Sequence, residues 1–128
     1  MTSKEVVFPK QGAKPIGPYS PGMRYGNLLF TSGQIGLDPK SGKLVEGDIA
    51  AEVRQALENL LAILAAAGTS PENVLKTTLF LTDIADFSRA NEVYATFFGE
   101  SPPSRSTVQV TALPGGARVE IEAIAALE

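Results

Sequence analysis

An α+β fold, a mixed β-sheet with two helices packed on one face, is predicted by three features of the sequence. Two stretches carry helical apolar spacing, short β-rich segments surround them, and Gly and Pro stand at the joints between. A length of 128 residues with 44% apolar and 20% charged residues fits one domain over residues 1–128. A chain this long buries roughly 65–70% of its unfolded surface, enough to fold without disulfide or structural metal. The absence of cysteine agrees with that.

Lys4 to Phe8 reads as a short first strand, and the Pro- and Gly-punctuated run from Pro9 to Pro21 as an irregular or extended loop. Met23–Tyr25 and Leu28–Ser32 flank Gly26-Asn27, a pair whose tolerance of positive φ suits a tight hairpin. From Asp48 onward Ile49, Val53, Ala56, Leu57, Leu60 and Leu64 recur as on one face of a helix, with Asp48 to cap its start and Gly68 to end it. Ser70-Pro71-Glu72-Asn73 supplies one helical turn before a strand from Val74 to Thr82. A second helix begins near Asp86, carries Phe87, Ala90, Tyr94 and Phe97 on one stripe, and stops at Gly99. Ser101-Pro102-Pro103 separates it from a strand at Ser104–Val110, and a last strand covers Arg118–Ala126. Two helices cover one face of such a sheet and no third remains for the other, which calls for a further copy of the chain or a solvated polar face.

The missing residue types exclude much chemistry. Without His or Cys, most zinc, copper and iron sites are ruled out, as are Ser-His and Cys-His nucleophiles, and no D-x-D-x-D-G loop offers oxygen ligands. No metal is expected. The spacing of Gly33 and Gly36 matches neither a P-loop nor a dinucleotide fingerprint. The net charge of −3, from 11 Lys+Arg against 14 Asp+Glu, and the scattered basic residues argue against nucleic-acid or anionic-membrane binding. The longest strongly apolar run, Leu60 to Ala67, is too short to span a membrane, and Met1 to Glu5 leads into no signal-peptide core. A cytoplasmic location is expected.

Among the residues left for chemistry, Arg105 follows the rigid Pro102-Pro103 and heads a strand, where its guanidinium fork suits a carboxylate; the bland alternative is a solvated edge arginine. Glu120 stands in a strand of Val119, Ile121, Ala123, Ile124 and Ala125, where partial burial would raise its pKa toward that of a general acid/base. Alternation with Glu122 on a polar sheet face is the other reading. Tyr19, in the stiff turn Gly17-Pro18-Tyr19-Ser20-Pro21, either presents its hydroxyl to a pocket or anchors packing. Ser32-Gly33-Gln34-Ile35-Gly36 would let a ligand approach backbone N–H groups closely. Asn91 is a site residue or a solvent-facing helix residue, and Phe97-Phe98 belongs to the core.

Taken together, Gly17-Pro18-Tyr19-Ser20, Thr31-Ser32-Gly33-Gln34-Ile35, Asn91-Glu92-Val93-Tyr94, Pro103-Ser104-Arg105-Ser106-Thr107-Val108 and Val119-Glu120-Ile121-Glu122-Ala123-Ile124-Ala125 resemble the RidA/YjgF family of reactive intermediate deaminases. The resemblance runs in order along nearly the whole chain. It implies a chorismate-mutase-like fold, a homotrimer with clefts between subunits, and cofactor-free hydrolysis of 2-enamine and 2-imine acids such as 2-aminoacrylate and 2-aminocrotonate. It further implies that Arg105 grips the substrate carboxylate and Glu120 handles the attacking water, with Tyr19, Ser32, Gly33, Asn91 and Thr107 lining or supporting the pocket. Thr107 stands where many members carry Cys, and Gly36 where Pro is common. Non-catalytic binding of small 2-keto or other carboxylates in the same cleft is the alternative, and a ribonuclease or translation-inhibitor role fits an acidic chain without His less well.

Overall fold

The computed structural model describes residues 3–127; Met1 and Thr2, which enter the reading of the N-terminus, lie outside them. Six strands form one mixed sheet: β1 (Glu5–Val7), β2 (Gly22–Tyr25), β3 (Leu28–Thr31), β4 (Val74–Leu81), β5 (Ser104–Gln109) and β6 (Val119–Ala126), in the order β1-β2-β3-β6-β4-β5. The pairs are antiparallel except β4 with β5. Helices α1 (Ile49–Ala66) and α2 (Phe87–Phe98) join β3 to β4 and β4 to β5. Both connections step in the same direction across the sheet, and right-handed crossovers then place both helices on the same face.

The boundaries follow local chemistry. Asp48 caps α1, its carboxylate accepting from the Ala51 amide at 3.2 Å, and Gly68 at φ +80° carries the chain out of the helix. Gly26, at φ +61°, turns the β2–β3 hairpin by taking the first central position. In the core, Val53, Leu57, Leu60, Ile63 and Leu64 of α1 pack with Leu29, Leu79, Leu81, Val119 and Ile121 of the sheet.

The stripe on α2 differs from the sequence expectation. Ala90, Val93, Tyr94 and Phe98 are buried, Phe97 is partly buried, and Phe87 stays 39% exposed. Phe87 belongs to the first turn, beyond the part of the helix that rests on the core, and covers Arg105 instead.

Two buried polar residues of α1 escape a hydrophobic reading. Glu52, 4% exposed, accepts from the Arg118 amide at 2.9 Å and forms an ion pair with its guanidinium, which also donates to the Gly47 carbonyl at 2.6 Å. Asn59 donates to the Ile35 and Leu37 carbonyls at 3.1 and 2.9 Å and accepts from Gln55 at 3.0 Å. These bonds fasten the segment after β3 and the start of β6 to the helix. Gly36 lies so close that a Cβ there would sit 3.0 Å from the Glu52 carbonyl oxygen.

Leu60→Ala is expected to lower unfolding free energy by roughly 2–5 kcal/mol through the cavity it opens. Gly36→Ala is expected to lower it by roughly 1–3 kcal/mol, because helix backbone has no room to retreat. Urea titration checks both, and an unchanged midpoint for Gly36→Ala would show that the segment, not the helix, gives way.

Candidate functional site

Alternation along β6 turns Val119, Ile121, Ala123 and Ala125 toward the helices and Glu120 and Glu122 toward the open face. Just beyond β3, Gln34 and Ile121 exchange backbone hydrogen bonds of 2.8 and 2.9 Å, which lays Gly33 beside Glu120. A Cβ on Gly33 would fall 2.2 Å from Glu120 Oε2 and 2.5 Å from its carboxyl carbon. The close approach inferred for this glycine is therefore made by the protein's own carboxylate, and at Gly36 by the backbone of α1.

Ser32 is held by the preceding loop: its hydroxyl donates to the Ser20 carbonyl at 2.6 Å and its amide to the Pro21 carbonyl at 2.8 Å. Tyr19 on that loop is exposed rather than a packing anchor, and its hydroxyl accepts from the Ile16 amide at 3.3 Å. Tyr19, Gly33 and Glu120 line an open cleft, together with Lys14, Ile16 and Pro114, which no sequence signal singled out. Burial pushes the Glu120 carboxyl above its ordinary pKa, and the neighbouring Glu122 charge adds to the effect. Among the described residues no Lys or Arg forms an ion pair with it.

A second cluster forms on the helix side of β5. Arg105 pairs in register with Thr77 and reaches α2, where its Nη2 donates to Asn91 Oδ1 at 2.7 Å. Asn91 is thus engaged rather than idle in solvent. The guanidinium carbon lies 4.6 Å from the Tyr94 ring centroid and 5.6 Å from that of Phe87. The Tyr94 hydroxyl shares a buried 2.7 Å hydrogen bond with Thr77. Burial raises the Tyr94 pKa, with Thr77 and Arg105 pulling the other way, so the phenol is neutral at physiological pH. Thr107, two residues beyond Arg105 and opposite Leu79, shares its face.

The chain does not bring these clusters together. Arg105 lies on the helix side of an edge strand and Glu120 on the open side of β6, with β4 between them. Their register partners Thr77 and Phe80 are three positions apart, which with two strand spacings puts the Cα atoms roughly 14 Å apart. Among the described residues no group of three or more His, Cys, Asp or Glu could hold a metal ion, and no helix is long and apolar enough to cross a membrane.

The sequence model of the family described as Endoribonuclease L-PSP matches residues 10–127. A RutC family protein of Pyrococcus horikoshii is 54% identical over 122 residues, covering 95% of this chain and 97% of its own. The 2-iminobutanoate/2-iminopropanoate deaminase of Mus musculus is 49% identical over 122 residues, covering 95% of this chain and 90% of its own. The crystal structure of E. coli TdcF with bound serine superposes with a TM-score of 0.91 at 41% identity, covering 95% of this chain and 98% of that one. With a family match along nearly its whole length, relatives near half identity and the same fold, the chain belongs to the RidA/YjgF family, described also as Endoribonuclease L-PSP.

Proposed function

We propose that the protein hydrolyses reactive 2-enamine and 2-imine acids, such as 2-aminoacrylate and 2-aminocrotonate, to 2-keto acids and ammonia in the cytoplasm. The observation that carries this reading is Glu120: a carboxylate without a cation partner among the described residues, with a raised pKa, at the wall of an open cleft. Such a group holds a proton more readily than an ordinary carboxylate, as a general acid/base needs. In the imine tautomer, C2 is electrophilic. Arg105 holds the substrate carboxylate and Glu120 removes a proton from water as its oxygen bonds to C2, the imine nitrogen being protonated. Glu120 then returns its proton to the amino nitrogen of the carbinolamine, the C–N bond breaks as the C–O bond becomes double, and the hydroxyl proton passes to the departing ammonia, which leaves as ammonium. No step draws on a cofactor. Support comes from the mammalian relatives that bear the deaminase name and from serine, an amino acid with the carboxylate Arg105 would grip, in E. coli TdcF.

Because Arg105 and Glu120 lie on opposite faces of one sheet, a substrate touching both takes them from two copies of the chain. A homotrimer, its open sheet faces turned inward and its clefts between subunits, supplies that arrangement. Phe30 and Val108, 42% and 43% exposed in the single chain, are surface such an assembly covers. The endoribonuclease named by the family description draws little support from a chain of net charge −3 without His.

Imine hydrolysis is followed with 2-aminocrotonate generated in place by a threonine dehydratase. Arg105→Ala is expected to raise KM and cut kcat/KM at least about a hundredfold, and Glu120→Gln to lower kcat by a similar factor. Gly33→Ala is expected to fold but lose about tenfold or more in turnover, since its methyl occupies the place of the carboxylate. Near wild-type turnover by Arg105→Ala or Glu120→Gln sinks the assignment, and keto-acid binding without turnover by the wild type leaves a carboxylate binder.

The raised Glu120 pKa has two consequences. The acid limb of kcat/KM is expected above the ordinary glutamate value of 4.5 and is abolished in Glu120→Gln. Folding favours the protonated carboxyl, so its contribution is complete below the unfolded pKa and lost as pH rises through the folded one. Glu120→Gln is therefore expected to melt higher than wild type near neutral pH, with the gap closing by about pH 4 in calorimetry.

Light scattering is expected to return three times the 13.5 kDa chain mass. A monomer that still turned over imine would overturn the shared cleft.

A further inference from the structure

Arginine on an edge strand has many rotamers, and a ligand that needs one of them must freeze the rest. In this chain three side chains of α2 already restrict Arg105: Tyr94 and Phe87 by their ring faces and Asn91 by one hydrogen bond. They are not equally firm. Phe87 is 39% exposed in the first turn of α2 and Asn91 is half-buried, whereas Tyr94 is 6% exposed and Thr77 fully buried. Phe98 packs against Tyr94 with ring centroids 4.6 Å apart, and the Tyr94 hydroxyl is pinned to Thr77 Oγ1 at 2.7 Å. Thr77 is also the register partner of Arg105 across β4 and β5. A closed circuit results: β4 fixes the tyrosine on α2, the tyrosine supports the guanidinium, and the guanidinium returns to the strand paired with β4.

We propose that Thr77 and Tyr94 are positioning residues for Arg105, their buried hydrogen bond fixing the ring on which the guanidinium rests, so that its fork is aimed before a carboxylate ligand arrives. This rests on the reading of Arg105 as the carboxylate-binding group. A guanidinium has five N–H donors, and Asn91 takes one of them, so enough remain for a two-point contact with a carboxylate. Neither Thr77 nor Tyr94 needs to touch substrate. Their effect falls on binding of the carboxylate, and Glu120 on the other face keeps its own surroundings.

The test uses the full-length protein and the variants Thr77→Val, Tyr94→Phe and the two combined. Each single variant leaves a buried hydroxyl without its partner and is expected to melt lower than wild type. The double variant removes both hydroxyls, so its melting temperature is expected to return close to wild type. Its KM for 2-iminobutanoate and Kd for 2-oxobutanoate are nonetheless expected to be raised about 3- to 10-fold, with kcat within about twofold. A merely structural pair would recover binding together with stability. A third readout needs no ligand: the Nε–Hε resonance of Arg105 is expected to report an ordered side chain in wild type and a mobile one in the double variant. A double variant with wild-type KM, Kd and Arg105 order overturns the proposal. If wild type neither turns over imine nor binds 2-oxobutanoate, the deaminase reading falls, and the Arg105 resonance alone decides whether the pair positions the guanidinium.

Discussion

Because successive side chains of a strand point to opposite faces, β6 buries Val119, Ile121, Ala123 and Ala125 against the helices only by turning Glu120 and Glu122 the other way. A slip of one residue would put both carboxylates in the core, so this alternation fixes the register of the strand that pairs with both β3 and β4. The rest of the sheet takes its place from it. The pairing of Gln34 with Ile121 extends the same ladder past the end of β3 and carries Gly33 to the Glu120 carboxylate.

The two clusters are made by different means. Around Glu120 the work is done by backbone pairing and by the lack of a side chain at Gly33. Behind it, Glu52 and Asn59 on α1 tie down the start of β6 and the segment after β3, using charge and amide bonds where an apolar core could not grip loop backbone. Around Arg105 the work is done by side chains, with aromatic faces and an amide taking over the screening that water gives an exposed cation. Separation onto two faces keeps the two charges apart within one chain, so Arg105 there does not offset the raised proton affinity of Glu120.

Most of the fold was legible in the sequence because its signals are local. Asp48, Gly68 and the apolar recurrence between them mark α1, and Gly26-Asn27 marks the hairpin. Helical spacing alone puts Phe87 on the α2 stripe, because periodicity does not say where a helix runs past the core. Glu120 was legible from its apolar neighbours, although all of them but Ile124 face away from it and its burial comes from other elements. What stayed hidden depends on distance along the chain: Glu52 meets Arg118 across 66 positions, Asn59 meets Ile35 across 24, and Gly33 owes its identity to a residue in the last strand. The roles proposed for Arg105 and Glu120 rest on the family resemblance rather than on pattern, since composition and spacing leave each with an ordinary surface reading.

The contact between Gly33 and Glu120 limits the order in which this sequence can change over generations. An ancestor with glutamate at 120 cannot acquire even a methyl at 33 without displacing the carboxylate, and shortening the acid to aspartate keeps the Cγ that would lie 2.8 Å from that methyl, so only a residue trimmed back to Cβ lifts the three close contacts. The two sites are therefore coupled: with glutamate at 120, a side chain at 33 is accepted only by moving the carboxylate from the place it now holds, so the fold can survive a change that the position of the acid cannot.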